Sequence, residues 1–465
     1  MVYFIAYILI YFTNPYIYTD LYSASLNFEN SFVFTTSSFL VLFPIVHNLK
    51  NIFFHRVYVI EFPSLFSALS YSIFILPLQS FLHLDFYNTV DLGNSLQEAL
   101  KFVAYFYFIL WTTVYYYCFT RKIDLNFNPL FFDKVFKTEE ISMGAKVLAI
   151  YVITTLYFRQ FDILSRLGFS QATVIISTLV YFFIGYCLSF GKITERIFAL
   201  IFLVLMTVYA LYTTQFGYIT LPFAFVLLFS FYKSKRLTLL YASIGFILMF
   251  SLGGIKHDVR SKIWGKEASI SNVLDLWSSA IEQNFYSDGS YHSAVKSEQN
   301  SYNRLGHIAL LTYIIDSTPS KTPHWNFQSY SLFFTKIIPR FLWPNKPRET
   351  LGNQFGRKYN IIGYNDYSTS INLPIVVEAF VSFGWFGLFM AYIIGLIVYY
   401  SIKQINSQYF GWKLFGIYIF FSILGMESNL SLLVGNTFLL WILVKYVFSK
   451  YTFFNFSFYN MPESK

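Results

Sequence analysis

Arg340, Lys346 and Arg348 stand close together in the segment Ile338-Pro339-Arg340-Phe341-Leu342-Trp343-Pro344-Asn345-Lys346-Pro347-Arg348-Glu349. Its three prolines rule out a continuing helix or a central strand, because proline lacks the backbone N–H and fixes φ. What remains is a rigid bend carrying three cations, followed by Arg357 and Lys358. Guanidinium groups offer bidentate hydrogen bonds and keep their charge at any relevant pH. Such a bend is fitted to an anionic ligand, phosphate above all. Anchoring at lipid headgroups is the bland alternative for the same cations.

Three further groups could carry chemistry. Arg304 and His307 are three residues apart, so on a helix they share a face and can address one ligand. A solvated helix face accounts for that pair as well. Glu378 lies just inside an apolar run, Pro374 to Gly387. A carboxylate at full membrane depth costs roughly 2–3 kcal/mol, so it must be paired or functional. It suits a general base, a partner for an arginine, or a purely structural pairing. Arg159 and Asp162 sit one turn apart, with Arg166 beyond, and either neutralise each other or let Arg159 reach a lipid-linked phosphate.

The elements that position these residues are membrane helices. The chain is 56% hydrophobic and 12% charged, with a mean hydropathy of +0.50; a soluble domain carries about 25% charged residues. Aromatic residues reach 22%, which we read mostly as base-composition bias with some use in interfacial belts. The net charge of +9 signals topology and not nucleic acid. The only cysteines, Cys118 and Cys187, lie inside apolar runs, so neither a disulfide framework nor a zinc site is expected.

Apolar runs long enough to cross a bilayer number about twelve, within a range of 10–13. They fall near 1–13, 31–47, 63–82, 101–119, 146–164, 172–190, 197–213, 218–232, 237–253, 374–400, 414–426 and 432–449. The first lacks a basic flank and a cleavage site and reads as a retained span, not a signal peptide. With the N-terminus in the cytoplasm, seventeen lysines and arginines fall in inner segments and only Arg166 in a short outer loop. That bias places both termini inside. The expected fold is an all-α polytopic membrane protein: an N-terminal bundle over 1–253, a large outer loop over 254–373, C-terminal spans over 374–450 and a cytoplasmic tail over 451–465. The outer loop, between spans nine and ten, is partly helical. Helices are expected over Ser271–Phe285, Tyr302–Asp316 and Ser329–Phe341, the last amphipathic and lying in or re-entering the membrane surface.

No Walker motif, dinucleotide loop or His/Cys metal set occurs, so no metal or cofactor is expected and the driving energy must reside in an activated substrate. No internal repeat is evident, which weighs against transporter folds built from inverted halves.

The chain resembles the Wzy-type oligosaccharide repeat unit polymerases, relatives of the O-antigen polymerases. The resemblance rests on the many-span layout with one large, late outer loop and on three blocks. These are Asn303-Arg304-Leu305-Gly306, then Ile338-Pro339-Arg340 through Pro347 followed by Gly352, Phe355 and Gly356, then Glu378 through Phe383-Gly384 and Gly387. It implies a metal-independent glycosyltransferase of the cytoplasmic (inner) membrane, acting at its outer face in O-antigen or capsule synthesis. The donor is the growing glycan on polyprenyl diphosphate (undecaprenyl diphosphate in bacteria), and the acceptor is a new lipid-linked unit. By that likeness Arg304, Arg340 and Arg348, assisted by Lys346, Arg357 and Arg159, hold the diphosphate and its departing charge. Glu378 or His307 orients or deprotonates the acceptor hydroxyl. Expected partners are the bilayer, the polyprenyl-diphosphate-linked oligosaccharide, a chain-length regulator and a flippase. An O-antigen ligase-like transferase or a lipid-linked oligosaccharide flippase is the alternative.

Overall fold

The computed structural model describes residues 2–12, 28–49, 64, 92–125, 139–157, 170–263, 270–286, 307–338, 343, 345, 350–367, 369–407, 410–423 and 429–448. Among them every regular element is helical. The first three are α1 (Val2–Phe12), α2 (Phe28–His47) and α3 (Leu92–Thr120). Next come α4 (Glu139–Tyr157), α5 (Ser170–Phe190), α6 (Ile193–Thr213), α7 (Gly217–Lys233), α8 (Lys235–Ile263) and α9 (Ile270–Tyr286). Then follow α10 (His307–Ser317), α11 (Gln328–Ile337), α12 (Leu351–Lys358) and α13 (Ile375–Phe383). A 3-10 turn, Gly384–Gly387, leads into α14 (Leu388–Ile405), α15 (Phe410–Ile423) and α16 (Leu430–Ile442), which ends in π-helical turns over Leu443–Phe448.

Among the described residues, three helical stretches are long and apolar enough to cross a membrane: Asn94–Thr120, Ile193–Thr213 and Ile375–Ile405. The surface agrees with a lipid solvent. Along α6, Ile193, Ile197, Leu200, Ile201 and Val204 are exposed, while Phe202, Met206 and Tyr209 are buried. Such a stripe in water would be an aggregation hazard; in hydrocarbon it costs nothing. Of the other expected spans, 63–82 lies outside the described residues apart from Ser64.

The chain forms two compact units, residues 128–304 and residues 1–127 with 305–465. In the first, α5 packs on α4, α6 and α7. Phe182 meets Phe225 and Phe229 edge to face, with centroids 5.6 and 4.9 Å apart. The abundant phenylalanines thus serve as interlocking packing units, whatever set their number. Helix α8 runs on past residue 253, where a span was expected to end. Its Ile255, Val259 and Ile263 prolong the apolar stripe and bury against Phe216, Val273 and Trp277, which outweighs the Gly253-Gly254 pair. The amphipathic helix expected over Ser271–Phe285 is α9, and Trp277 Nε1 donates to the Leu211 carbonyl at 3.1 Å.

The second unit is organised on α3 and α14, which pack along their length. Phe102 meets Trp385 at 5.6 Å, Thr113 faces Gly395, and Asn406 Nδ2 donates to the Asp124 carbonyl at 2.6 Å. Residue numbers rise together along this seam, so the two helices are parallel. Their approach depends on Gly395, where a Cβ would lie 2.8 Å from Thr113 Cβ. Helix α15 returns antiparallel to α14, with Ser401 Oγ donating to the Gly416 carbonyl at 2.7 Å. The described helices between α10 and α13 are packed into this unit. Helix α10 packs on α3 and α13, and α11 packs on α16. Tyr313 Oη donates to the Tyr359 carbonyl and Thr318 bonds the Tyr359 hydroxyl, each at 2.8 Å, tying α12 to α10.

Candidate functional site

Glu378 is the anchor of the site. It sits in the first turn of α13 and is 0% exposed. Its Oε2 accepts a hydrogen bond of 2.8 Å from the backbone N–H of Leu430, the first residue of α16. Asn429 completes the cap: its Oδ1 accepts from Leu432 N at 3.1 Å and from Ser431 Oγ at 2.6 Å. The first amides of a helix lack intrahelical partners and carry the positive end of its dipole, so they are where a buried carboxylate is stabilised. Tyr330 on α11 lies close enough for the Glu378 charge to add to burial in raising its pKa, and its ring stacks on Phe383 at 5.5 Å. Glu378 therefore joins α13 to α16 beneath the surface, as the structural pairing open to it from the sequence.

One turn further on, α13 is broken. A single span was expected over 374–400; instead the helix stops at Phe383 and a 3-10 turn precedes α14. Gly384 has φ +57°, a conformation that L side chains rarely adopt. The freed carbonyls do not go unpaired. Trp325 N donates to the Val381 carbonyl at 3.0 Å, and Asn326 N donates to the Ser382 carbonyl at 2.9 Å. The segment 324–326 thus lies along the end of α13 as its cap, the protein contact that tolerates a broken helix in an apolar setting. His324 Nδ1 lies 3.4 Å from the Val381 carbonyl. A carbonyl only accepts, so in that bond Nδ1 carries the hydrogen.

This cap and the break enclose a groove of about 690 Å³. Glu98 of α3 stands on one side, Thr318, His324 and Asn326 on another, and Trp385 and Phe386 on the 3-10 turn. The volume is that of a small-molecule site, and an apolar lining with a few polar groups is the usual composition. Glu98 also holds Lys101 at 3.1 Å; both are partly exposed, so that pair contributes little stability.

The expected site residues are distributed as follows. His307 opens α10, is 6% exposed, and burial lowers its pKa to about 4, so it is neutral at pH 7. Arg357 is braced: its Nε donates to Asn353 Oδ1 at 2.9 Å and its guanidinium lies 4.2 Å from the Tyr367 ring centre. Its neighbour Lys358 lies 5.1 Å from the ring centre of Trp325, and desolvation lowers its pKa. Helices α10 and α13, carrying His307 and Glu378, pack on one another. Arg159, Arg304, Arg340, Lys346 and Arg348 lie outside the described residues. Glu98, Asn326 and Ser382 were not singled out in the sequence, and His324 was only one of four loop histidines. No periodic pattern links them, and the one local signal is a charge at the mouth of an apolar run.

Residues 130–456 match the model of a family described as a domain of unknown function (DUF8712). No curated protein and no solved structure matches the chain.

Two outcomes follow from this geometry. Glu378→Ala orphans the Leu430 amide and should cost about 1–3 kcal/mol, read as a lower unfolding midpoint of the detergent-solubilised protein, whereas Glu378→Gln keeps an acceptor and should lose less. Equal, negligible effects of both would remove Glu378 from its anchoring role. For His307 the folded pKa of about 4 lies below the ordinary 6.5. The unfolded chain then binds the proton more readily, so stability is full above pH 6.5 and falls towards pH 4, by roughly 3 kcal/mol in all. His307→Gln should flatten that part of the pH profile in a thermal-unfolding series.

Proposed function

We propose that this chain, which belongs to the DUF8712 family, polymerises polyprenyl-diphosphate-linked oligosaccharide units at the outer face of the cytoplasmic membrane. The observation that carries the reading is the position of the groove on the parallel pair α3 and α14. At one end of the pair lie Arg121, Lys122 and Lys403, beside the Asn406–Asp124 contact. Cations cluster at the cytoplasmic ends of spans. The groove, with Glu98 and Trp385, is at the opposite end. Two parallel spans require an even number of crossings from the start of one to the start of the other, in keeping with a map of about twelve spans and both termini inside.

A groove with aromatic walls and a few polar groups, at the outer interface, suits a sugar carried on a membrane lipid. The exposed Phe386 (86%) and Trp385 (40%) are aromatic residues of the kind that favour the headgroup interface. The proline-rich segment with Arg340, Lys346 and Arg348 follows α11 directly in the chain, and the braced Arg357 and Lys358 lie on α12. In the proposed reaction an acceptor hydroxyl attacks the anomeric carbon of the donor glycan. The bond to the diphosphate breaks, its electron pair leaves with the diphosphate, and the hydroxyl's proton passes to solvent or to the departing diphosphate. Arginines stabilise that departing charge. Glu378, buried and bonded to α16, positions α13 and does not touch substrate; His307 supports α10 in the same way.

The test is a glycan ladder in a strain deleted for the gene, complemented at equal membrane levels. Wild type should restore the ladder, and Arg340→Ala should leave single repeat units on the outer face. Units retained on the cytoplasmic face of the deletion strain would make the protein a flippase. Polymer that forms but is not passed to its final acceptor would make it a ligase-like transferase.

A further inference from the structure

Resting on the polymerase reading, we propose that the groove at the α13–α14 break is a subsite for one uncharged sugar ring of the acceptor unit, stacked at Trp385 and hydrogen-bonded by Glu98, His324 and Asn326. Three observations point to it. The first is size: about 690 Å³ accommodates a pyranose with its neighbouring linkage, within the usual range of about 300–1,000 Å³ for small-ligand sites.

The second is the kind of polar group presented. Glu98 offers a carboxylate whose Oε1 holds Lys101 and whose Oε2 can accept from a hydroxyl. Asn326 offers an amide whose backbone N–H is already committed to Ser382, leaving its side chain for a ligand. His324 is held by the Val381 carbonyl through Nδ1, which leaves Nε2 to bond a hydroxyl. The aromatic wall is equally fixed: the Trp385 ring rests on Phe102 and Tyr105, with centroids at 5.6 and 6.2 Å. A rigid indole beside a carboxylate, an imidazole and an amide is matched to a ring with one apolar face and a rim of hydroxyls.

The third is charge. Glu98 is the one formally charged residue lining the groove among the described residues. Its charge is already paired with Lys101 at 3.1 Å, so a diphosphate or a uronate placed there would meet a carboxylate whose one cationic partner is committed. The groove is therefore assigned to the sugar, and the diphosphate to the arginines elsewhere. A hydroxyl-bearing neutral hexose or N-acetylhexosamine fits; a hexuronic acid does not.

The experiment uses the full chain purified into lipid nanodiscs and saturation-transfer NMR. The probes are the methyl glycosides of a hexose, an N-acetylhexosamine and a hexuronic acid, at up to about 50 mM, since a single ring is held in the millimolar range. The expected result is transfer to at least one neutral glycoside and none to the hexuronide. Trp385→Ala and Glu98→Ala should each abolish the transfer, while Glu98→Gln, which keeps an acceptor, retains part of it. The subsite is overturned if no neutral glycoside gives transfer, if the hexuronide binds as well, or if Trp385→Ala leaves binding unchanged. Failure of the polymerase reading is a different result: wild type then does not restore the ladder in the deletion strain, whatever the glycosides do.

Discussion

The hydrogen bond from the Leu430 amide to the Glu378 carboxylate is the constraint on which the site depends. It satisfies a charge buried to 0% exposure and an amide that its own helix cannot pair. By doing so it fixes α13 against α16 at one end. The other end of α13 is fixed by the backbone of Trp325 and Asn326, which takes up the carbonyls of Val381 and Ser382. Helix α13 is only nine residues long and would not persist alone. Held at both ends, it becomes a rigid floor from which the 3-10 turn projects Trp385 and Phe386 into the groove.

The same arrangement explains how a helix can break inside an apolar stretch. Unpaired carbonyls in hydrocarbon cost several kcal/mol each, so irregular backbone survives there only against protein or a cavity. Here it has both: the 324–326 segment on one side and the groove on the other. The close seam of α3 and α14 then sets Glu98 on α3 beside Trp385 on the turn that leads into α14. The α3–α14 pair has Arg121, Lys122 and Lys403 at one end and the groove at the other.

Much of the helix inventory was legible from periodicity. The Val273, Trp277, Ala280 and Ile281 stripe marks α9 because its burial against Ile255 and Val259 is what holds that helix. The need for Glu378 to have a partner was also legible, since an ionisable group in an apolar run cannot stand alone. Its partner was not, because a backbone amide fifty-two residues away leaves no side-chain signature. The break at Gly384 was hidden for a related reason: the hydropathy of 374–400 is continuous, and only the cap from 324–326 shows that the helix can stop. Helix α12 went unread because its eight residues hold just Leu351 and Phe355 as apolar anchors. The groove residues Glu98, His324, Asn326 and Trp385 come from three separate segments, joined by tertiary packing alone.

The most direct measurement is elongation by the purified chain in proteoliposomes supplied with the lipid-linked repeat unit, with products resolved by size. A ladder of lipid-linked polymer should form from that substrate alone, with one polyprenyl diphosphate released for each unit added. Recovery of the repeat unit unchanged, or its movement across the bilayer with no new glycosidic bond, would contradict it.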